Sequence, residues 1–438
     1  MSIFAYSVLM AAFLAPILIA LASFALRLYH LASIKTMIFD EVYYVDGARD
    51  LLKYGVEVSG NNPEFVVHPP VGKWLIASGI KIFGDNPLGW RFATALLGSL
   101  AILLIALIAH RLFYSPILTA LAAGLMAVDG LALVHSRTAL LDNFLAFFIL
   151  AATYFFISRK YWWTGLFLGL ALATKWSALY FIVLFGLIAL YRAFAHHTGR
   201  DLIRPTLSRI GAFGLLPLTV YLTSWWGWFA SSRGWDRSHS SNPISSFIYY
   251  HQEMLNFHTN LAEKHPYQAN PWSWLVMGRP TSFFYESPKS CGADSCSQEV
   301  LALGTPLLWW AGTIAIAVVV GFWVRSLLHR RFDPAVTIIT AGMAAGYLPW
   351  FFFQQRTVFS FYAIIFEPFL ILALVYCAKL FLTSQRRKSE RGYLLGEFAL
   401  LALFIVTAIN FIYFMPLYLG QITTYEAWHA HMWFASWI

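Results

Sequence analysis

The chain has 438 residues, 59% of them apolar and only 12% charged, with a formal net charge of +9. Soluble domains carry about 25% charged residues, so a water-facing surface of this size is excluded and the apolar excess faces lipid. Three cysteines exclude a disulfide scaffold and a multi-cysteine metal cluster, and the placement of the basic residues argues against nucleic acid as a partner.

A membrane span needs about 20 mostly apolar residues. In chain order such stretches fall at 8–29, 92–109, 116–134, 139–157, 162–175, 176–191, 210–228, 302–324, 335–353, 357–378 and 394–414. The expectation is an all-α polytopic membrane protein with about eleven transmembrane helices, forming one integral domain over 1–438. The fifth and sixth stretches are short, which predicts broken or re-entrant helices. The first lacks a basic leader and an A-x-A-like site before Arg27, so it reads as a span and not as a cleaved signal.

With the N-terminus in the cytoplasm, the inner loops hold Arg111; Arg159 and Lys160; Arg192, Arg200, Arg204 and Arg209; Arg325, Arg330 and Arg331; and Lys379, Arg386, Arg387, Lys388 and Arg391. Their only acids are Asp201, Asp333 and Glu390. The net charge is therefore a topology signal of a multi-pass cell-membrane protein, and anionic lipid headgroups are the expected partners of these loops. Two outer segments are long, 30–91 and 229–300, and hold most of the polar chemistry. The inner loops are too short for a nucleotide-binding domain. Neither G-x-x-x-x-G-K-[ST] nor G-x-G-x-x-G is present, which weighs against ATP-driven transport and against a nucleotide sugar as donor.

The first outer segment opens with the adjacent carboxylates Asp40 and Glu41, followed by Arg49 and Asp50 on a short helix. The pair fits a solvated loop, or a general base for a hydroxyl acceptor at the edge of a lipid-accessible cavity. Next, Pro69 and Pro70 hold His68 extended, and Lys73 and Trp74 begin an interfacial amphipathic helix. His68 and Lys73 fit a loop anchored by proline and tryptophan, or a site. Arg91 opens the second span and fits a headgroup snorkel equally well. Asp129, His135, Arg137 and Asp142 then lie close together in apolar sequence. Arg137 and Asp142 read as a structural ion pair, or Arg137 as a phosphate ligand. Lys175 and Arg356, with Tyr362 following, stand at outer span ends; each can snorkel, and together they can meet a lipid phosphate.

The second outer segment carries His251, His258 and His265. Seven helical residues span about 10.5 Å, so these do not form one metal site, and no metal is expected. Their helix reads as interfacial and is followed by a Trp-rich anchor. Cys291 and Cys296 read as a disulfide clip in an exported loop, Cys377 as packing, and the tail from about Met415 as an outer-face anchor.

Asp40-Glu41, HPPVGKW at 68–74, GWR at 89–91, SRTALLD at 136–142, ATKWSALYF at 173–181, HPYQANPWSW at 265–274 with RPTSFFYE after it, and RTVFSFY at 356–362 together resemble the protein O-mannosyltransferase family, of the GT-C class of membrane glycosyltransferases. The match runs in order from about residue 35 to 375 and looks closest to the bacterial members. The loop 229–300 is too short for the MIR domain of the eukaryotic enzymes. The resemblance implies a GT-C-like fold and an inverting transfer of mannose from a polyprenyl monophosphate to Ser or Thr hydroxyls of exported proteins, delivered by the secretion translocon. It implies Asp40 as general base and Glu41 as its support or an acceptor ligand. His68, Lys73, Arg91, Arg137, Asp142, Lys175, Arg356 and Tyr362 are the candidate substrate-binding residues, the cations for the leaving phosphate. No soluble cofactor is expected.

Two rivals stand beside this reading. A polyprenyl-phosphate transferase of another sugar to a lipid or glycan, like an aminoarabinose transferase, would share the acidic pair and the many spans. A transporter would place its ionisable groups near the bilayer midplane and often show repeated halves; here the charges gather at the outer span ends.

Overall fold

A computed structural model describes residues 3–438, with side chains from Phe13 onward. It is helical throughout its membrane-embedded part. Among the described residues, six helical segments are long and apolar enough to cross a bilayer: Pro87–Phe113, Ala178–His196, Pro306–Leu328, Pro334–Phe352, Glu367–Lys388 and Glu390–Leu419. The helix Ile3–Leu28 opens the chain, and Pro116–Ala127, Leu141–Ile157 and Tyr161–Leu172 are apolar but shorter.

Several expected spans are built differently from the continuous apolar runs. Pro116–Ala127 stops and a new short helix, Gly130–His135, begins under Asp129, whose side chain accepts from the Ala132 N–H. The same carboxylate accepts from the Thr305 N–H and the Trp309 indole, so Asp129 is a structural cap. The stretch 210–228 runs as Ile203–Ile210, a π turn at Gly211–Leu215 and Leu216–Ser224, with Pro217 removing a helix donor at the junction. The stretch expected at 357–378 becomes helical as α-helix only at Glu367, where Pro368 fits the first turn because its missing N–H needs no partner there; Ser360–Ile365 before it is a 3-10 turn. Of the two stretches expected to be short, Tyr161–Leu172 is short, whereas Ala178–His196 is a full span.

Leu141–Ile157 is the central helix. It is buried along nearly its whole length and packs on Pro87–Phe113 and Tyr161–Leu172. Glu390–Leu419 lies outside and exposes Leu394, Leu395, Phe398, Leu401, Ile405, Ile409 and Ile412. An apolar stripe of that length is stable only against lipid.

The long segments 30–91 and 229–300 contain the expected helices, Glu41–Tyr54, Val71–Phe83 and Pro243–Asn260. The fold also contains what an all-α expectation omits, a three-stranded antiparallel sheet of Thr281–Glu286, Cys296–Ala302 and Ile422–Thr424. Cys291 and Cys296 form the disulfide that closes its hairpin. The third strand comes from the tail, so the tail is part of the same layer as the segment 229–300. Its Trp437 is buried and donates to the Met277 carbonyl, while Arg279 donates to the carbonyls of Ser436 and Ile438.

Candidate active site

Asp40 and Glu41 are neighbours in sequence with opposite surroundings. Glu41 is fully buried. It accepts from the backbone N–H of Ile38 and Ala139 at 3.0 and 2.8 Å, and from Arg91 at 2.8 and 2.7 Å. Arg91, also buried, spends its remaining donors on the carbonyls of Leu31, Ile34 and Thr36. The pair thus ties together the loop after the first helix, the helix Glu41–Tyr54 and the turn before Leu141–Ile157. Neither has a free group left for a substrate, which corrects Glu41 as an acceptor ligand and Arg91 as a substrate ligand but is compatible with Glu41 as a support for Asp40. A Glu41→Gln change leaves the Arg91 charge buried without a counter-charge. A lone buried charge of this kind costs about 3–5 kcal/mol, so thermal unfolding in one detergent should show a large fall in stability. Equal stability would contradict the anchoring role.

Asp40, in contrast, is barely used by the fold. It precedes the helix Glu41–Tyr54 but makes no capping hydrogen bond with its side chain. Among the described residues its one side-chain partner is the Tyr44 hydroxyl, one turn on, at 3.4 Å. Phe39 before it takes a left-handed φ of 49°, which is unfavourable for a bulky residue. The Phe39 ring offsets this by stacking on Phe283 and meeting Phe359 and Phe361 edge-on. Asp40 is therefore pointed by its neighbours and left chemically free. Burial pushes its carboxyl up to about 6, with the Asp142 charge adding to the rise and Lys175 and the Tyr44 hydroxyl opposing it.

Lys175 follows Tyr161–Leu172. The backbone bond from Val71 N–H to the Ala173 carbonyl, at 3.0 Å, brings the His68–Pro70 turn against it. Gly72 permits that approach, since a Cβ there would lie 3.1 Å from the Thr174 side chain and 2.5 Å from that of Leu141. Lys175 donates to both oxygens of Asp142, at 2.9 and 3.0 Å, and sits 4.6 Å from the Tyr362 ring centre. Asp142 therefore pairs with Lys175 and not with Arg137. Arg137 instead donates to the carbonyls of Arg27 and Tyr29 at 2.8 and 2.7 Å, ending the first helix. Lys73 likewise leaves the candidate ligands: it is buried and paired with Glu57 at 2.6 Å, in a path that a side chain at Gly47 would obstruct.

Lys175 and Tyr362 form one wall of a cavity of about 220 Å³, which also has His68, Trp176, His258 and Arg356 in its lining. Arg356 reaches it from a loop sewn to the second outer segment by Thr357 N–H to Leu261 carbonyl and Ala269 N–H to Val358 carbonyl bonds. Among the described residues Arg356 makes no ion pair, and its Nε is buried without a partner. His68 and His258 lie with ring centres 5.3 Å apart. Burial, with the charges of Lys175 and Arg356 added, holds His68 well below the usual histidine range and His258 at about 4, so both are neutral at pH 7. His258 Nε2 lies 2.8 Å from the Val67 carbonyl and so donates to it, leaving Nδ1 as an acceptor.

Of the sequence candidates, the fold groups Asp40, His68, Asp142, Lys175, Arg356 and Tyr362, and diverts Glu41, Lys73, Arg91 and Arg137 to structure. Tyr44, Trp176 and His258 join the site without having been singled out for it. Tyr44 had a signal in its i+4 position from Asp40; His258 had only its place on an outer helix. His251 takes a different partner, the Tyr221 hydroxyl at 2.7 Å, and His265 packs on Phe359, so the three histidines do separate work.

Residues 82–230 match the family model described as dolichyl-phosphate-mannose-protein mannosyltransferase, and 243–437 the C-terminal four-span region of protein-O-mannosyltransferase. The polyprenol-phosphate-mannose–protein mannosyltransferase of Mycobacterium tuberculosis is 33% identical, over 96% of this chain and 90% of that protein. The protein of the same name from Corynebacterium glutamicum is 32% identical, over 92% and 88%. The chain belongs to the protein O-mannosyltransferase family. The fold agrees: the donor-bound protein O-mannosyltransferase Pmt1-Pmt2 complex of Saccharomyces cerevisiae aligns with a TM-score of 0.83 at 16% identity, over 98% of this chain and 92% of that one. ArnT from Cupriavidus metallidurans in the apo state aligns with a TM-score of 0.57 at 16% identity, over 96% and 77%. This family member therefore has the GT-C fold expected from its motifs.

Proposed function

We propose that the protein transfers mannose from a polyprenyl monophosphate to Ser or Thr hydroxyls of exported proteins, at the extracytoplasmic face of the cell membrane, with inversion at the anomeric carbon. One observation carries the assignment of roles: Asp40, a carboxyl at about 6, feels the charge of Lys175, and Lys175 and Tyr362 line the cavity that holds Arg356, while neither Asp40 nor Arg356 makes an ion pair among the described residues.

In the reaction, Asp40 accepts the hydroxyl proton of the acceptor as its oxygen forms the bond to the anomeric carbon. The bond from that carbon to the phosphate oxygen breaks, and its electron pair leaves with the polyprenyl phosphate. Arg356 meets the charge that develops there, in a site of low dielectric where such charge is stabilised far more than in water. Lys175 contributes positive charge from behind, tempered by Asp142. Neutral His68 and His258 offer hydrogen bonds to sugar hydroxyls without adding charge. The donor lipid arrives through the bilayer, which suits a protein with short inner loops.

The fold-level likeness to ArnT supports the aminoarabinose alternative less, because relatives aligned along about nine-tenths of the chain are mannosyltransferases by name. A transfer assay with purified protein and a Ser/Thr-rich peptide separates the two. Mannosyl-peptide from polyprenyl-phosphate mannose is the expected product. Peptide left unmodified while another lipid-linked sugar is consumed would reject the proposal.

A further inference from the structure

A second, larger cavity of about 1700 Å³ lies at the opposite end of the bundle from Asp40. It is framed by the far ends of Pro87–Phe113, Leu141–Ile157 and Ala178–His196 and by the middle of Glu367–Lys388. Its wall carries Arg111, Arg159, Lys160, Arg192, Arg209 and Lys379. One carboxylate faces them, Asp333, and it is already engaged. It accepts from the N–H groups of Ala335 and Val336 at the start of Pro334–Tyr347, and from the Tyr376 hydroxyl.

Among the described residues none of the six cations makes an ion pair. Three rest on aromatic faces instead: Arg192 5.2 Å from the Phe156 ring centre, Arg209 4.6 Å from that of Tyr161, and Lys379 5.7 Å from those of Phe113 and Tyr376. The aromatic faces fix where these charges point, yet neutralise none of them. The Nε of Arg209 is buried without a hydrogen-bond partner. Like charges gathered without a counter-ion repel, and an anion placed among them relieves that repulsion.

The mouth identifies the kind of anion. Trp162, Trp163 and Tyr191 line the cavity and are each more than half exposed. Indole and phenol rings collect at the headgroup level of a bilayer. A soluble anion has no use for them, whereas the glycerol and first methylenes of a lipid do. We propose that this cavity binds the phosphate headgroup of an anionic membrane lipid, with the acyl chains leaving past Trp162 and Trp163. The site is separate from the transfer chemistry and does not rest on it. Occupancy bridges Leu141–Ile157, whose other end holds Asp142, and Ala178–His196, whose other end follows the turn that holds Lys175, so it is expected to stabilise the bundle.

The test uses the full-length protein in nanodiscs of phosphatidylcholine alone or with phosphatidylglycerol. Native mass spectrometry counts retained lipid, and thermal unfolding follows stability. The expected result is retained phosphatidylglycerol, a higher unfolding temperature in its presence, and no displacement by millimolar inorganic phosphate. Arg159 and Lys160 are exposed, so the double variant R159Q/K160Q leaves the core intact, and it should retain phosphatidylglycerol roughly tenfold or more weakly. Equal stability of the wild type in both lipids with no retained phosphatidylglycerol would overturn the proposal. So would equal retention by the double variant, and displacement by inorganic phosphate would mark the site as one for a soluble anion.

Discussion

Asp40→Asn is expected to lower kcat by about 10²–10⁴-fold, the usual contribution of a general base, and to leave the protein at least as stable as the wild type. Both effects follow from the same placement. Asn keeps the size of Asp and can still accept from the Tyr44 hydroxyl, so the turn set by Phe39 survives. It cannot take a proton. The wild-type carboxyl is pushed up from the ordinary range to about 6 by burial. Because the folded value is raised, the protonated acid is favoured in the folded state, and stability is lost as pH rises through about 4 to 6. Holding the ionised form at pH 7 therefore costs the fold up to about 3 kcal/mol, a cost that Asn removes. A variant that turns over at the wild-type rate would dismiss Asp40 as the base. One that is inactive and strongly destabilised would show that Asp40, like Glu41, is structural.

Arg356→Ala is expected to raise the donor KM about 10–100-fold while changing the acceptor KM little. Hydrogen bonds to charged groups contribute about 1.5–3 kcal/mol, and among the described residues Arg356 has no carboxylate partner to share that energy with. Lys should restore only part of the loss, because an ammonium is a point charge without the guanidinium's planar fork. Lys175→Ala is the less informative change, since it frees Asp142 to repel the phosphate as well as removing a cation. Donor and acceptor KM values measured separately for Arg356→Ala check the assignment. A donor KM equal to that of the wild type would remove Arg356 from the phosphate site.

The adjacent acids show what was legible and what was not. Two carboxylates after the first span mark a special place, and the motif context marks the family. Nothing in the order Asp-Glu says which one the fold consumes, because Glu41 meets Arg91 and the Ala139 N–H only once three distant segments pack. Arg137 and Asp142 lie five residues apart and look like partners. The turn between them instead sends Arg137 to the carbonyl end of the first helix, and Asp142 to Lys175 in the turn between Tyr161–Leu172 and Ala178–His196. The apolar runs locate the membrane-embedded helices well but miss their breaks, which depend on local chemistry such as the Asp129 cap and Pro368. The sheet was hidden for a related reason. Its third strand is a three-residue segment of the tail that acquires meaning only beside Cys296–Ala302.

The most direct test of Asp40 as the base is the pH dependence of kcat/KM for the acceptor, in the wild type and in Asp40→Asn. This ratio reports the ionisation of the free enzyme. In the wild type, activity should fall about tenfold per pH unit below an apparent value near 6 and level off above it, because the base is lost as it takes up a proton. In Asp40→Asn the small residual rate should lack that limb. The same limb persisting in the variant would contradict the account, because another group would then be the base.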